Sequence, residues 1–397
     1  MPEVLTPAST PTSTQMPTQT PSYPSAEPDD VSTTVVPEPP ATPTEPRRQV
    51  GKVAREDVYA ICGSLCAAGA LTTIVFRWLA PFDGGVGFAA LFCPVFLIIY
   101  VTAVALDHDG PVMRDRMAGA VVHAGAALVL AALAHIIIYT FFRGMPALTH
   151  PNFYTQDLKE TTPLMPLTSG GIRHAVIGSL IEIGIALVIT VPLGVLTAVL
   201  LTEIPGRLSR LVRTIAEAAT ALPSIVAGLF VYAVVIVPFA GRKHGFLEQS
   251  GLAAALAISV MMLPIIIRAS DVVLRLVPGS LKEASYALGS GQWQTVWRVT
   301  LPSARSGLAT AVILGTARGI GETSPVLLCA GYTAATNTDP RHNPMASLPL
   351  AVFKLVTSPE QPMIDRGFGA AAVLMLLVTV LFVTARLVAR PNRSLRK

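Results

Sequence analysis

Residues 175–201 read AVIGSLIEIGIALVITVPLGVLTAVLL, and Glu182 is the only ionisable side chain among those 27 positions. About 20 consecutive apolar residues in a helix cross the hydrocarbon layer of a bilayer, so this stretch is long enough to span one. Seven further stretches have the same character: residues 58–79, 87–106, 117–142, 212–239, 252–274, 308–331 and 368–387. The expected fold is an all-α polytopic transmembrane helical bundle of about eight spans.

Composition agrees. Of 397 residues, 52% are hydrophobic and 13% charged, with a mean hydropathy of +0.58. Soluble domains carry about 25% charged residues. A chain this apolar cannot cover its surface with polar groups, which excludes an ordinary soluble enzyme. The net charge of +5 conceals an asymmetry. Residues 1–46 hold six acids, no Lys or Arg, and 12 of the 33 prolines, whereas the remainder holds 29 basic and 18 acidic side chains.

Residues 1–50 therefore read as a disordered Pro/Thr/Ser-rich cytoplasmic tail, without the basic start and apolar run of a secretory signal. Two N-terminal spans occupy residues 51–116. A transmembrane domain covers 117–391 and contains a cytoplasmic loop at 278–302, and a basic tail ends the chain at 392–397. With a cytoplasmic N-terminus, 19 Lys and Arg fall inside and nine outside, which places both termini in the cytoplasm of a prokaryotic cell. Cys62, Cys66, Cys93 and Cys329 all lie in apolar runs. No His or acid completes a metal site near them, so they read as small packing residues.

The cytoplasmic connector 275–305 reads RLVPGSLKEASYALGSGQWQTVWRVTLPSAR. Ser280 and Glu283 have capping-box spacing for a short helix, Gly289 and Gly291 interrupt it, and helix is expected again from Gln292 until Pro302. Glu283-Ala284-Ser285, three residues, Gly289, nine residues, Val299, one residue, Leu301-Pro302 resembles the EAA loop of ABC importer permeases. Ser285 and Val299 are conservative departures from that pattern. In such permeases the loop forms the coupling helix that seats in a groove of the ATP-binding subunit, so the resemblance implies this role for Glu283, Ala284, Ser285, Gly289, Leu301 and Pro302.

GGIRHAVIGSL from Gly170, ALPSIVAGLFVY from Ala221, MLPIIIRASDVVLRLVP from Met262 and ARGIGETSPVLL from Ala317 narrow the resemblance to PstA-type permeases of phosphate importers, over residues 117–387. It implies a second permease of PstC type, ATP-binding subunits of PstB type and an extracytoplasmic phosphate-binding protein of PstS type. It also implies membrane localisation and inorganic phosphate as cargo; nothing in the chain points to nucleic acid. No cofactor of its own is expected. The chain has no G-x-x-x-x-G-K-[ST] loop, so ATP would be bound by the partner subunit and this subunit would not be an enzyme.

Ionisable groups at membrane depth cost about 2.5–3.5 kcal/mol on insertion scales and usually face the bundle interior. Arg318 and Glu322 stand four apart in RGIGE and Arg268 and Asp271 three apart in RASD, so each pair shares a helix face. A planar guanidinium fork suits a phosphate with several acceptor oxygens, and all four residues are assigned to the substrate path. Glu182 and Glu217 receive no role. His123 and His135 lie about 120° apart around one helix and do not form one site. Pro223, Pro264 and Gly228 are expected to break regular helix, as happens where transporter backbone lines a cavity. The rival readings are a permease for sulfate or molybdate, which would share the coupling loop, and a secondary anion transporter, which would not need it.

Overall fold

The computed structural model describes residues 55–78, 85–107, 110–239 and 248–388. The Pro/Thr/Ser-rich tail, most of the connector at 81–85 and the basic C-terminal segment lie outside them. Among the described residues no strand is present, and they divide into two compact units, one ending at Met117 and one beginning at Ala118.

In the first unit, α1 (Arg55–Trp78) packs on α2 (Gly85–Asp107). Phe88, Phe92, Phe96 and Tyr100 recur every four residues and stack along one face of α2, with ring centroids 5.9–6.3 Å apart. Phe76 of α1 meets Phe88 edge to face at 5.7 Å. Residues four apart are neighbours on a helix surface, so the spacing builds this ridge directly.

The further helices are α3 (Gly110–Leu148), α4 (Asn152–Thr155), α5 (Arg173–Glu203), α6 (Arg207–Thr220), α7 (Ser224–Val231), α8 (Gly251–Arg275), α9 (Gly279–Ala287), α10 (Gln292–Thr295), α11 (Leu301–Ile320), α12 (Ser324–Cys329), α13 (Leu348–Val356) and α14 (Gln361–Val388). The polytopic helical fold is as expected, but two of the eight spans are not single helices. Six described helices are long and apolar enough to cross a membrane, or seven if α6 and the segment after it count as one bent span. Between Arg207–Thr220 and Ser224–Ile236 the axis turns by 109°. Pro223 sits at the corner with an extended backbone, φ −61° and ψ 137°, because proline lacks an N–H and disfavours helix in the residue before it. The span expected at 308–331 is likewise divided. α11 is diluted by Ser303, Arg305, Ser306 and Arg318, and it stops before a short break that Pro325 closes by opening α12.

Two other expected breaks are absent. Pro264 lies buried inside an uninterrupted α8. Pro302 does not end a helix: Val296–Thr300 forms a π-helical turn that joins α10 to α11, and Pro302 falls in the first turn of α11. At that position proline gives up an N–H that the re-registered ladder does not need.

α8 is the most enclosed span, in contact with α5, α6, α7, α11 and α12. Ala253, Ala254, Ala257 and Ile258 on it join Ile183 and Ala186 of α5 and Val326 and Cys329 of α12 in one apolar core. Ile266 is fully buried between two glycines. A Cβ on Gly194 of α5 would lie 2.6 Å from its Cγ2, and one on Gly315 of α11 would lie 2.5 Å from its Cγ1.

Arg366 is counted among the loop cations by sequence alone, yet it is fully buried near the start of α14. Its Nη2 donates to the carbonyl oxygens of Met165, Pro166 and Ser169 at 3.2, 2.8 and 2.7 Å. Asp157 makes a second long-range tie, accepting from the Thr336 N–H at 3.0 Å and the Thr336 hydroxyl at 3.1 Å. Partial burial alone would raise the Asp157 pKa, but the hydrogen bonds from Thr336 and the Lys159 N–H outweigh it and hold the carboxyl below its usual range.

Overpacking a filled core costs about 1–3 kcal/mol. Gly315→Ala should therefore lower the thermal midpoint of the purified assembly. Ile266→Ala should cost about 2–5 kcal/mol by leaving a cavity. In the double variant the new methyl occupies part of that space, so its destabilisation should be smaller than the sum of the two; an additive result would show that Gly315 and Ile266 do not compete for room.

Candidate functional site

Arg318 and Glu322 sit where α11 gives way to the break before α12. Arg318 Nε lies 2.9 Å from Glu322 Oε1, so the expected pair is formed. The two partners are unequally enclosed, with Glu322 7% exposed and Arg318 54%. Among the described residues Arg318 makes no other polar contact, which leaves Nη1 and Nη2 open. A guanidinium bound through Nε keeps that terminal edge available for an oxyanion.

Behind Glu322 is a small cavity of about 10 Å³, lined by Ser179, Glu182, Gly319, Glu322 and Ser347 among others. That is room for about one water. Glu182 is 1% exposed, and neither of its carboxyl oxygens has a hydrogen-bond partner. The Ser347 hydroxyl is also buried without one. The structure thus brings a residue left without a role next to the expected pair. Its signal in the sequence is that it stands alone among 27 residues; the neighbouring helix that completes the cavity is not legible there.

The second expected pair is not formed. Arg268 is exposed, and Asp271 is buried on another face of α8. Asp271 accepts from Arg275 Nε at 3.1 Å and from Arg213 Nη2 at 3.4 Å, with the Thr202 hydroxyl at 3.3 Å. Arg275 follows Asp271 by four residues, the better helical spacing, whereas Arg268 precedes it by three. Arg213 arrives from α6, 58 residues away, with no local signal.

The 275–305 connector folds as a helical hairpin of α9 and α10. Pro278 precedes α9, and no side chain caps that helix, so the Ser280–Glu283 capping box does not form. Gly289 takes φ +80° with nothing within 4 Å of an added Cβ, so only backbone conformation restricts the position. Glu283 and Ala284 are exposed. Ser285 is buried and faces inward, its hydroxyl 2.9 Å from that of Thr295. The outer surface is apolar: Leu288 is 87% exposed, and Trp293 and Trp297 meet edge to face at 5.7 Å. Lys282 Nζ lies 2.6 Å from Glu203 Oε1, and Gln292 Nε2 donates to the Glu203 carbonyl at 2.9 Å, which fixes the hairpin to the end of α5.

A family profile described as "Binding-protein-dependent transport system inner membrane component" matches residues 190–397. That range contains the hairpin, the Asp271 cluster and the Arg318–Glu322 pair. The chain belongs to this family. Within it, the chain is 39% identical over 262 residues to the phosphate transport system permease protein PstA 1 of Mycobacterium tuberculosis (strain CDC 1551 / Oshkosh), covering 66% of this chain and 84% of that protein. It is 38% identical to PstA of Mycobacterium leprae (strain TN), covering 63% of this chain and 80% of that one. PstA of Pasteurella multocida (strain Pm70) is 34% identical, with 64% and 87% covered. The permease is therefore of PstA type, a multi-pass inner-membrane component of an ABC transporter.

The departure at Ser285 has a local reason in this permease: Ser285 and Thr295 exchange a hydroxyl hydrogen bond that closes the hairpin, which alanine could not make. Leu301 is half-buried and Pro302 exposed, both past the π-helical turn. Gly289→Val forces a β-branched residue into a left-handed conformation and should uncouple ATP hydrolysis from uptake while the subunit still inserts. A cysteine at Leu288, in a version lacking the four native ones, should cross-link to the ATP-binding subunit; one at the buried Ser285 should not. Labelling of the Leu288 position only from outside the cell would contradict the coupling role.

Proposed function

We propose that this chain is the permease subunit of an ATP-driven phosphate importer and forms part of the inorganic phosphate path across the cytoplasmic membrane. The observation that carries the reading is the open terminal edge of Arg318, held by Glu322 in a broken helix inside an apolar bundle. An anion passing this point meets a guanidinium already oriented but only singly engaged. Glu322 retains Arg318 when the path is empty, and phosphate competes for it in transit. A site of this kind attracts without trapping, because the departing anion is replaced by a resident carboxylate.

The proposed partners are a second permease of PstC type, ATP-binding subunits of PstB type that receive the α9–α10 hairpin, and an extracytoplasmic binding protein of PstS type. ATP hydrolysis belongs to the partner subunits. The distribution of Lys and Arg supports a cytoplasmic location for both termini, and residues 1–46 are dispensable for transport. Arg268, exposed and apart from Asp271, is not favoured as a path residue by its surroundings. Asp271 organises the Arg213 and Arg275 side chains at the hairpin end of the bundle instead.

ATP-dependent uptake by the reconstituted complex tests the reading. Phosphate should accumulate and excess sulfate should not compete; competition by sulfate would favour the wider oxyanion reading, and uptake without ATP a secondary transporter. Arg318→Ala should abolish uptake without reducing assembly, and Arg318→Lys should retain little, since an ammonium is a point charge without the fork. Exchanging the pair, Arg318→Glu with Glu322→Arg, should not restore transport. Full uptake in the exchanged protein would reduce the pair to mutual neutralisation.

A further inference from the structure

At the hairpin end of the bundle, a cavity of about 420 Å³ is lined by Leu201, Thr202, Pro205, Gly206, Ser209, Arg210, Arg213 and Arg275. Three guanidiniums line it, and among the described residues Asp271 is the one acid that pairs with any of them, a surplus of two positive charges within that set. Arg213 is weakly engaged. Its contacts to Leu201 O and Asp271 lie at 3.3–3.4 Å, longer than the 2.7–2.9 Å usual for a charge-assisted bond. Arg275 meets Asp271 through Nε at 3.1 Å, so its terminal nitrogens are open, and Arg210 is exposed with no polar side-chain partner among the described residues. The start of α6 borders it too: Gly206 leads into that helix, and no side chain caps it.

We propose that this cavity is an anion-binding site for a tetrahedral phosphate group, held by Arg210, Arg213 and Arg275 and separate from the Arg318–Glu322 pair. The group is either inorganic phosphate or the headgroup phosphate of an anionic lipid, since both present the same oxygens to the same guanidinium forks. The site does not depend on which anion the permease carries. Its position gives it a consequence. Glu203, two residues before the cavity-lining Pro205, is the residue that Lys282 and Gln292 grip, so an anion here fastens α6, the end of α8 and the α5–α6 turn directly behind the coupling hairpin.

Arginine-specific modification by phenylglyoxal, mapped by mass spectrometry on the whole importer complex, tests the site. In discs of phosphatidylcholine, saturating inorganic phosphate should slow modification of Arg210 and Arg275 about tenfold relative to chloride at equal ionic strength, as expected for loss of free, charge-assisted donors. In a second arm, discs containing phosphatidylglycerol and no free phosphate give the same protection if the occupant is a lipid headgroup. Protection in the first arm identifies the free anion, and protection in the second alone identifies the lipid. Arg210→Gln, with assembly confirmed by co-purification, should raise about tenfold the phosphate or phosphatidylglycerol needed to protect Arg275. Equal protection by chloride, protection in neither arm, or unchanged protection of Arg275 in the Arg210→Gln complex would each overturn the proposal.

Discussion

The contact of Ile266 with Gly194 and Gly315 sets how closely α5, α8 and α11 approach, and the polar features of the permease hang from those three helices. α5 carries Glu182 a third of the way along and Glu203 at its end. α8 delivers Asp271, and α11 delivers Arg318, with Glu322 two residues past its end. Close packing is a strict requirement here because interiors are filled to crystal-like density, and helices in lipid associate through contact rather than through expulsion of water. A larger residue at either glycine would separate the helices and move every charged group they hold.

Where charge lies in this bundle follows from the cost of placing it in hydrocarbon. Three arrangements meet that cost differently. Arg366 is buried with its Nη2 donating to three backbone carbonyls, so it serves as a structural clamp although its Nε has no partner. Asp271 is shared by two arginines in an open cluster near the helix ends. Arg318 is paired once and half exposed, and Glu182 is enclosed without a partner. The last two are the costliest positions for stability, and they adjoin one cavity wall through Glu322. Strain of this sort is retained where a chain needs a group to be available rather than settled.

Much of this was legible in the sequence. Apolar runs reported the membrane, the spacing from Glu283 to Pro302 reported the hairpin, and the four-residue step from Arg318 to Glu322 reported its ion pair. The failures share a cause. Local rules paired Arg268 with Asp271 by proximity in sequence, but the partner from α6 lies 58 residues away and is selected by a helix crossing. Pro264 and Pro302 were expected to break helices that in fact continue: α8 runs through Pro264 packed among its neighbouring helices, and a π-helical turn leads into α11 ahead of Pro302. Pro223 did produce its corner: α6 closes at Ala221 and Leu222, and the Pro223 carbonyl accepts the first bonds of α7 from Val226 and Ala227. Ser280 had the right spacing for a cap and lost the position to Pro278, whose fixed φ already suits a helix start.

The π-helical turn at Val296–Thr300 has a mechanical consequence. By carrying the chain past Pro302 without a break, it makes Gln292 to Ile320 one continuous rod, roughly 40 Å long at 1.5 Å per residue. One end of that rod bears Trp293 on the face of the hairpin, and the other bears Arg318. A displacement at the tryptophans therefore meets only helical backbone on the way to Arg318, and the register of that path is set at the widened turn, where one residue corresponds to about 100°.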